Sequence, residues 1–208
     1  MINQKEKIIE YFKSGIKSSE NFKIGVEHEK FLFNKKNNKR IDYLKIKEMF
    51  SALIEFGWNP IFEKENIVAL NKGGKNITLE PGNQIELSGD KLNNMHEACA
   101  ESQNYLFELK QVTKKLNIRI VSAGFDPISK LKDIPNNPKQ RYKLMTQDMP
   151  FGGELSLDMM YRTCGTQLNI DYSSEEDFVK KFKVINSIVP ISIALFANSS
   201  IVEKKNSN

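Results

Sequence analysis

The 208-residue chain has 39% hydrophobic and 27% charged residues, a composition typical of a folded domain that can bury a sizeable core. No stretch approaches the roughly 18 apolar residues of a membrane span, and no signal peptide is recognised, so we expect a cytoplasmic protein. The net charge of +5 favours anionic small molecules, including nucleotides. The lysines are scattered rather than clustered, which argues against a nucleic-acid interface.

The predicted secondary structure mixes helices and strands without strict βαβ alternation. In chain order we predict a helix over 5–14, a strand over 22–33, a helix from Asp42 to Phe56, a hairpin over 61–87 whose first strand covers 61–69, a helix over 90–116 and a strand over 118–125. There follow a loop over 126–138, a helix over 141–149, a strand over 159–172, a helix from Ser174 that ends or kinks at Pro190, and a second helical stretch to Ala197. This order favours an α+β fold with an antiparallel sheet.

Two carboxylates share one face of the first predicted strand. Alternate residues of a strand point to the same side, so Glu27 and Glu29 project together, away from His28. Two like charges at this spacing repel, and partial burial strengthens the repulsion. A divalent cation relieves it, and hard oxygen ligands suit Mg²⁺ or Mn²⁺. The alternative is a solvated outer face of an edge strand.

Two further predicted strands carry polar residues at alternate positions, so that their side chains point to the same face of the strand. Glu80, Gln84 and Glu86 occupy alternate positions of one predicted strand. Pro81-Gly82 is expected to interrupt this strand, and a bulge there would change the direction of the side chains. Later in the chain, Gln167, Asn169 and Asp171 share a face; amides of this kind coordinate a metal or bind an amino acid. An exposed hairpin tip and a half-exposed strand are the respective alternatives. Three such strands in one chain favour a shared polar cavity.

Five sequence blocks follow one another in the order of a known family. They read IGVEHEKFLF, ITLEPGNQIELSG, DIPNNPKQRY, LDMMYRTCGTQLNIDYSSEEDFVKKF and IALFANSS. Together they closely resemble the plant-type glutamate–cysteine ligases, which also occur in many proteobacteria. The resemblance runs from about Phe22 to the last residues. It is more specific than any single motif, because the blocks agree in both sequence and spacing.

The resemblance implies a glutamine-synthetase-like fold, in which an antiparallel sheet forms a funnel and acidic residues hold Mg²⁺ against ATP. It also implies the reaction. The γ-carboxylate of L-glutamate takes the γ-phosphoryl group of ATP, and the amine of L-cysteine attacks the γ-glutamyl phosphate. The product, γ-glutamylcysteine, is the first intermediate of glutathione synthesis. Such chemistry depends on charge neutralisation and positioning, so no protein nucleophile is expected.

The family's functional positions carry over residue by residue. The positions that match its metal ligands are Glu27, Glu29, Glu80 and Glu86. The residues expected to bind substrate are Gln167, Asn169, Arg141 and Arg162. Arginine suits bidentate binding of a carboxylate or a phosphate, although a salt bridge within the protein is the alternative role for both arginines.

The chain departs from the family in two places and in length. No aromatic residue follows Phe125 in the loop before DIP, and Asn83 stands where the family favours glycine, a position that needs positive φ. Family members are longer than this chain. We therefore expect residues 1–208 to be the amino-terminal portion of one catalytic domain, with an incomplete funnel, and to have little activity without the carboxy-terminal half.

Two other functions remain open from the sequence. The first is a related carboxylate–amine ligase that joins glutamate to a different amine. The second is a binding or regulatory chain that keeps affinity for substrate without turnover.

Overall fold

The computed structural model describes residues 4–206 and contains a seven-stranded antiparallel sheet with flanking helices, which confirms the predicted α+β class. The strands of the sheet are β1 Ile24–Asn34, β2 Asn59–Glu63, β3 Asn66–Lys72, β4 Lys75–Leu79, β5 Ile85–Ser88, β6 Ile118–Val121 and β7 Thr166–Ile170. The helices are α1 Lys5–Ser14, α2 Tyr43–Ile54, α3 Met95–Lys115, α4 Gln140–Asp148, α5 Ser156–Arg162 and α6 Glu175–Phe196. A two-stranded ribbon of β8 Ile201–Val202 and β9 Lys205–Asn206 follows α6.

Strand β1 is the centre of the sheet. One edge pairs with β5, and β4, β3 and β2 follow outward in that order. The other edge is shared by two strands, β7 along residues 24–28 and β6 along residues 31–34. All of these pairings are antiparallel. Both edges of β1 are therefore paired near its middle, where Glu27 and Glu29 lie.

Helices α2 and α3 cover one face of the sheet and form the main hydrophobic core. Their apolar stripes pack on the inward side chains of β1 and β3 to β5, around the fully buried Trp58. The buried residues that the two helices contribute are Ile46, Met49, Phe50, Leu53, Tyr105, Leu109 and Val112. Removal of this apolar surface from water is the main favourable term in the stability of the sheet.

The opposite face of the sheet is covered only in part. Phe31 and Phe33 pack against Cys164, and Met160 and Tyr161 of α5 pack with Ile134 in a separate small cluster. The polar middle of β1 and β5 lies beyond these two clusters. This side of the sheet therefore leaves room for a polar site.

Helix caps agree with the sequence at two of three positions. The Asp42 side chain accepts a hydrogen bond from the Lys45 amide at 2.9 Å, and the Ser174 hydroxyl accepts one from the Asp177 amide at 3.0 Å. The third helix begins at Met95 and not at Asp90, because Asn94 caps its first turn by accepting from two backbone amides. The spacing of apolar residues alone therefore predicts a helix start that is too early in the chain.

Several predicted strands are wrong in extent. The expected hairpin over 61–87 is four strands, because its first strand, 61–69, is β2 and β3, joined by a tight turn in which Lys64 has a φ of +57°, and its second arm is β4 and β5. The strand expected over 118–125 ends at Val121. The expected strand over 159–172 begins as a helix, α5, and only 166–170 is strand. In α5, the carboxylate of Asp158 accepts from Arg162 one helical turn later at 2.7 Å, a contact that alternation does not reveal.

Helix α6 continues through Pro190 to Phe196. The helix therefore does not end at Pro190, and the helical stretch predicted to follow the proline is part of the same helix. None of its residues is buried, and large apolar side chains such as Phe182, Ile193 and Phe196 are more than half exposed.

Within residues 4–206, no helix combines the length and the apolar character that a bilayer crossing requires.

A buried ion pair joins distant parts of the chain beside the sheet. The guanidinium of Arg40 donates to the carboxylate of Asp126 at 3.0 Å, and both side chains are 0% exposed. Arg40 also donates to the carbonyl oxygen of Gly82 and to the side chain of Gln84, and it lies over the ring of Phe31 at 4.8 Å. Burial lowers the pKa of Arg40, and Asp126 opposes that change.

We predict that Arg40→Met lowers the free energy of unfolding by about 3–5 kcal/mol, because it leaves the Asp126 carboxylate buried without its partner. Urea unfolding followed by circular dichroism measures the change. The matched control is Lys45→Met, which removes an exposed ion pair with Glu48 and is expected to cost about 0.5 kcal/mol or less. Equal losses in the two variants would contradict the role assigned to the buried pair.

Candidate metal centre

Three glutamates from two strands and a turn meet on the open face of the sheet. Glu29 on β1 lies directly opposite Glu86 on β5 in the antiparallel register. Glu80 follows the end of β4 and reaches the same point from the neighbouring turn. One carboxylate oxygen from each of the three lies within 4.8 Å of the others. We call these three residues the carboxylate cluster.

The turn between β4 and β5 aims Glu80 at the cluster. The Glu80 amide donates to the carbonyl of Gln84, and the Asn83 amide donates to the carbonyl of Glu80, both at 2.9 Å. Asn83 has a φ of +61°, which confirms the expected left-handed conformation. A Cβ at Gly82 would lie 2.9 Å from the Tyr161 carbonyl oxygen, so the turn admits only glycine there without rearrangement.

Gln84 alternates with Glu80 and Glu86 in the sequence, but its side chain does not point toward the carboxylate cluster. Its side chain is 1% exposed, accepts from the Gly82 amide, and donates to the carbonyls of Met160 and Thr163. These contacts hold the turn against the end of α5. The bulge expected at Pro81-Gly82 is the turn that joins β4 to β5. This turn directs Gln84 into the protein and Glu80 toward the carboxylate cluster.

The carboxylate cluster is electrostatically costly without a counter-charge. Burial, followed by repulsion from Glu86 and Glu29, raises the pKa of Glu80 to about 7. Burial also raises the pKa of Glu29, against the backbone hydrogen bond from Gly165 and with repulsion from Glu86 and Glu27. Glu86 is 9% exposed and accepts from the hydroxyls of Ser88 at 2.5 Å and Thr78 at 3.3 Å.

Two side chains of the segment at the start of α4 border the carboxylate cluster. The Tyr142 hydroxyl donates to the Leu79 carbonyl at 2.7 Å and to the Glu80 carboxylate at 3.3 Å. The Lys139 ammonium also donates to the Leu79 carbonyl, at 2.8 Å, and lies 5.1 Å from the centre of the Tyr142 ring. Burial lowers the pKa of Lys139, whereas Glu80 and Glu86 raise it.

Glu27 lies on the same face as the carboxylate cluster but is not one of its three members. Its carboxylate accepts from the side-chain amide of Asn169 at 2.9 Å. Gln167 is the direct cross-strand neighbour of Glu27 and is exposed. The structure thus brings Glu27, Gln167 and Asn169 together on β1 and β7. Their roles as ligands for metal or substrate stay predictions.

The two predicted substrate arginines occupy different environments. Arg162 is buried, pairs with Asp158 at 2.7 Å and with Glu203 at 3.4 Å, and lies 4.6 Å from the Phe125 ring centre. Arg141 is exposed in the first turn of α4. Arg162 therefore makes the internal salt bridges that the sequence left open as its alternative role. Substrate binding by either arginine stays a prediction.

Sequence reasoning missed three residues that shape this site: Arg40, Lys139 and Tyr142. Lys139 and Tyr142 stand in the DIPNNPKQRY block, so that block contained their signal. Arg40 ends a lysine- and asparagine-rich stretch that resembles an exposed loop, which hid its burial. Nothing local in the sequence distinguishes Arg40 from its exposed neighbours.

The donor set of the carboxylate cluster fits a hard divalent cation. Carboxylate oxygens are the ligands that Mg²⁺ and Mn²⁺ prefer, and Mg²⁺ is held by a few carboxylates together with water and phosphate oxygens. Burial and, to a smaller extent, repulsion among the carboxylates raise the pKa of Glu29 and Glu80, and a bound cation would oppose both effects. Glu29, Glu80 and Glu86 are the residues that would hold it.

We predict that the ion-free protein loses stability as pH rises, because the folded-state pKa of Glu80 lies above its unfolded value of 4.5. The contribution is fully present below about pH 4.5 and is lost as pH rises through about 7. Urea unfolding in a chelating buffer from pH 5 to 8 should show a loss on the order of 2 kcal/mol from this group, after allowance for its residual exposure.

In Glu80→Gln this part of the pH dependence should disappear, because the amide does not ionise. Glu55→Gln is the control, since Glu55 is exposed at the end of α2, far along the chain from the carboxylate cluster. An unchanged slope in Glu80→Gln would show that Glu80 ionises normally in the folded protein.

Comparison with known proteins identifies the family. The family model described as glutamate-cysteine ligase family 2 (GCS2) matches residues 23–207. The chloroplastic glutamate–cysteine ligase of Nicotiana tabacum is 44% identical over 202 residues, which are 97% of this chain and 39% of that protein. Glutamate–cysteine ligase A, chloroplastic, of Oryza sativa subsp. japonica is 44% identical over 97% of this chain and 41% of its own length.

The Arabidopsis thaliana chloroplastic glutamate–cysteine ligase gives the same result, with 42% identity over 97% of this chain and 39% of its own length. The chain thus spans about two fifths of the length of the curated relatives it matches. The family match covers the strands and the turn that form the carboxylate cluster. The chain therefore belongs to the plant-type glutamate–cysteine ligases, glutamate-cysteine ligase family 2.

Proposed function

We propose that this chain supplies part of the active site for ATP- and Mg²⁺-dependent ligation of L-glutamate to L-cysteine through γ-glutamyl phosphate, the first step of glutathione synthesis. The carboxylate cluster is the observation that carries the proposal. Glu29, Glu80 and Glu86 each place a carboxylate oxygen within 4.8 Å of the other two, and burial, together with repulsion among the carboxylates, raises the pKa of Glu80 and Glu29. Membership of the ligase family supports the same reaction.

The residues have separate tasks in the proposed reaction. Glu29, Glu80 and Glu86 hold Mg²⁺, which when bound neutralises charge on the phosphate oxygens of ATP. Glu27 is the fourth proposed metal ligand, with its carboxylate oriented by Asn169. The Tyr142 hydroxyl orients the carboxylate of Glu80.

Four residues are proposed to bind substrate, as the family resemblance implies. They are Gln167, Asn169, Arg141 and Arg162. Gln167 and Asn169 have the stronger support, because they lie beside Glu27 on the open face. Arg141 is available for an anionic group, since it is exposed near Tyr142. Arg162 would have to exchange an existing salt bridge for a ligand contact.

We further propose a glutamine-synthetase-like funnel for the complete domain, with residues 1–208 as its amino-terminal portion. The share of the relatives' length that the chain spans, about two fifths, supports this. The exposed apolar side chains of α6 also support it, because contiguous apolar surface of this kind is usually covered by other protein. The activity therefore requires the remaining part of the family sequence.

A cytoplasmic location stays a prediction, while the relatives' names place them in chloroplasts.

We predict that the folded chain binds Mn²⁺, used as a spectroscopic substitute for Mg²⁺, and that Glu86→Gln weakens binding at least about tenfold by removing one carboxylate ligand. Electron paramagnetic resonance of free Mn²⁺ measures the affinity. The matched control is Glu55→Gln, outside the cluster, which should bind as the wild type does. Glu27→Gln tests the fourth proposed ligand. Equal binding by wild type and Glu86→Gln would contradict the metal role.

We also predict that the chain releases little ADP alone, and that it gains activity when joined to the remaining three fifths of a relative such as the Nicotiana tabacum enzyme. Release should need Mg²⁺-ATP, L-glutamate and L-cysteine together and should be lost in Glu86→Gln. A different stimulating amine would favour the related carboxylate–amine ligase. Nucleotide or glutamate binding without ADP release by a folded joined protein would favour the binding-only alternative.

A further inference from the structure

Folding brings together basic residues that are scattered along the sequence. The loop after β1 lies against the end of α3 and the start of β6, because the Lys35 amide donates to the Asn117 carbonyl at 2.9 Å and Asn34 pairs with Ile118. The exposed cations gathered at this end of the sheet are Lys35, Lys36, Lys39, Lys110, Lys114, Lys115 and Arg119. We call these seven residues the cationic surface.

No carboxylate of the neighbouring segments neutralises the cationic surface. The segments 30–41 and 109–125 contain no Asp or Glu, and within residues 4–206 none of the seven cations takes part in an ion pair. The four acids that flank these segments all make hydrogen bonds or ion pairs elsewhere, and they are Glu29, Asp42, Glu108 and Asp126. Without the seven cations the chain would have a net negative charge. The positive excess of the chain is therefore concentrated at one end of the sheet, where it attracts polyanions.

The polar side chains within the cationic surface present donors rather than acceptors. The side-chain oxygens of Asn34 and Asn37 accept from backbone amides two residues further on, at 2.8 and 3.0 Å, and that of Asn38 accepts from Arg119 at 2.8 Å. These contacts leave the N–H groups of the three amides to face solvent. A partner for this surface must supply acceptor oxygens with negative charge at many points, as a chain of phosphates does.

An exposed aromatic ring adjoins the cationic surface. Phe107 is 62% exposed and precedes Lys110 and Lys114 on α3 by three and seven residues, so the three side chains share one face of the helix. The opposite face of α3 is buried in the core through Tyr105 and Leu109, so the helix has no apolar face left to insert into a bilayer. Cations beside an exposed ring are typical of surfaces that bind single-stranded nucleic acid.

We propose that the cationic surface binds the backbone of single-stranded nucleic acid, without sequence preference, and that a base stacks on the ring of Phe107. The phosphates pair with the seven cations and accept from the asparagine amides. This activity is independent of the proposed ligase reaction. The surface lies at the Asn34 end of β1, which is about 17 Å along the strand from Glu29, and binding there leaves the carboxylate cluster free.

Fluorescence anisotropy tests the proposal with the wild-type chain and a labelled oligouridylate of about 20 nucleotides, longer than the site of one small domain. Saturable binding is expected at about 50 mM salt. Its affinity should fall steeply up to about 200 mM salt, because each phosphate contact releases bound counterions. The slope of log affinity against log salt concentration should be about −3 to −5, since each contact contributes about −0.7 and up to seven cations take part.

The variant Lys36→Glu/Lys114→Glu should bind at least about tenfold more weakly at low salt. Its salt slope should be shallower by about 1.4, because two phosphate contacts are lost. The matched control is Lys180→Glu/Lys183→Glu, which makes the same change in net charge on exposed positions near the start of α6, at the Ile24 end of β1. The control should bind within about twofold of the wild type, because salt screens charges at that separation.

Two further variants separate backbone contacts from stacking. Lys39→Glu/Lys115→Glu should reproduce the loss of affinity and slope, and it replaces the first pair if that pair folds poorly. Phe107→Ala should weaken binding at least about fivefold with an unchanged salt slope, because it removes a stacking contact and no phosphate contact. Circular dichroism establishes that each variant is folded.

Three results would overturn the proposal. The first is the absence of saturable binding by the wild type at low salt. The second is an equal loss of affinity in the variants of the cationic surface and in the control pair. The third is tighter binding to vesicles that contain phosphatidylglycerol, or to polyglutamate of matched charge, than to the oligonucleotide, which would assign the surface to a membrane or to an acidic protein.

Discussion

The candidate site depends on the ion pair between Arg40 and Asp126, which is fully removed from solvent. Water cannot replace either partner, so each buried charge requires the other in one geometry. The same guanidinium reaches the turn before β5 and the carbonyl of Tyr161. Asp126, in turn, accepts from the amides of Ile128 and Ser129 at 2.8 Å. One charged group thus orders the segments that carry Glu80 and enclose the partly covered face.

The sheet and the turn make different contributions to the carboxylate cluster. The antiparallel register of β1 and β5 alone places Glu29 opposite Glu86. Glu80 needs an irregular backbone, with positive φ at Asn83 and no side chain at Gly82. A regular strand would continue past this point without turning Glu80 toward its two partners. The repulsion that results is a local cost of stability, of the kind that functional sites commonly carry.

The sequence selected residues that meet in the structure more successfully than it predicted the local structure around them. Glu29, Glu80 and Glu86 were selected from strand parity and family blocks, and the structure brings these three together. Strand alternation gave the wrong direction for the Gln84 side chain, because Gln84 lies in the turn between β4 and β5, where the alternation of a strand does not hold. The alternation of polar and apolar residues also predicted a strand where α5 lies. Met160 and Tyr161 of this helix are buried against other segments, and this packing stabilises the helix.

Residues whose roles come from distant contacts were the least predictable. The partner of Arg40 is 86 positions further along the chain, so no local pattern could identify it. By contrast, helix caps at Asp42 and Ser174 involve residues three positions apart and were predicted correctly. Contacts between residues close in the sequence could therefore be predicted, whereas contacts between residues far apart in the sequence required the structure.

The pairing of β1 with β7 also has a consequence for synthesis on the ribosome. One edge of the first half of β1, along residues 24–28, finds its partner strand only when residues 166–170 have been made. Chains are extended at about 5–20 residues per second, so this edge waits several seconds after β1 leaves the exit tunnel. During that interval the nascent strand presents unpaired backbone groups beside Glu27, and a charged side chain at an open edge discourages pairing with other chains. The acidic residues of β1 would thus protect the growing polypeptide before they have any ligand to bind.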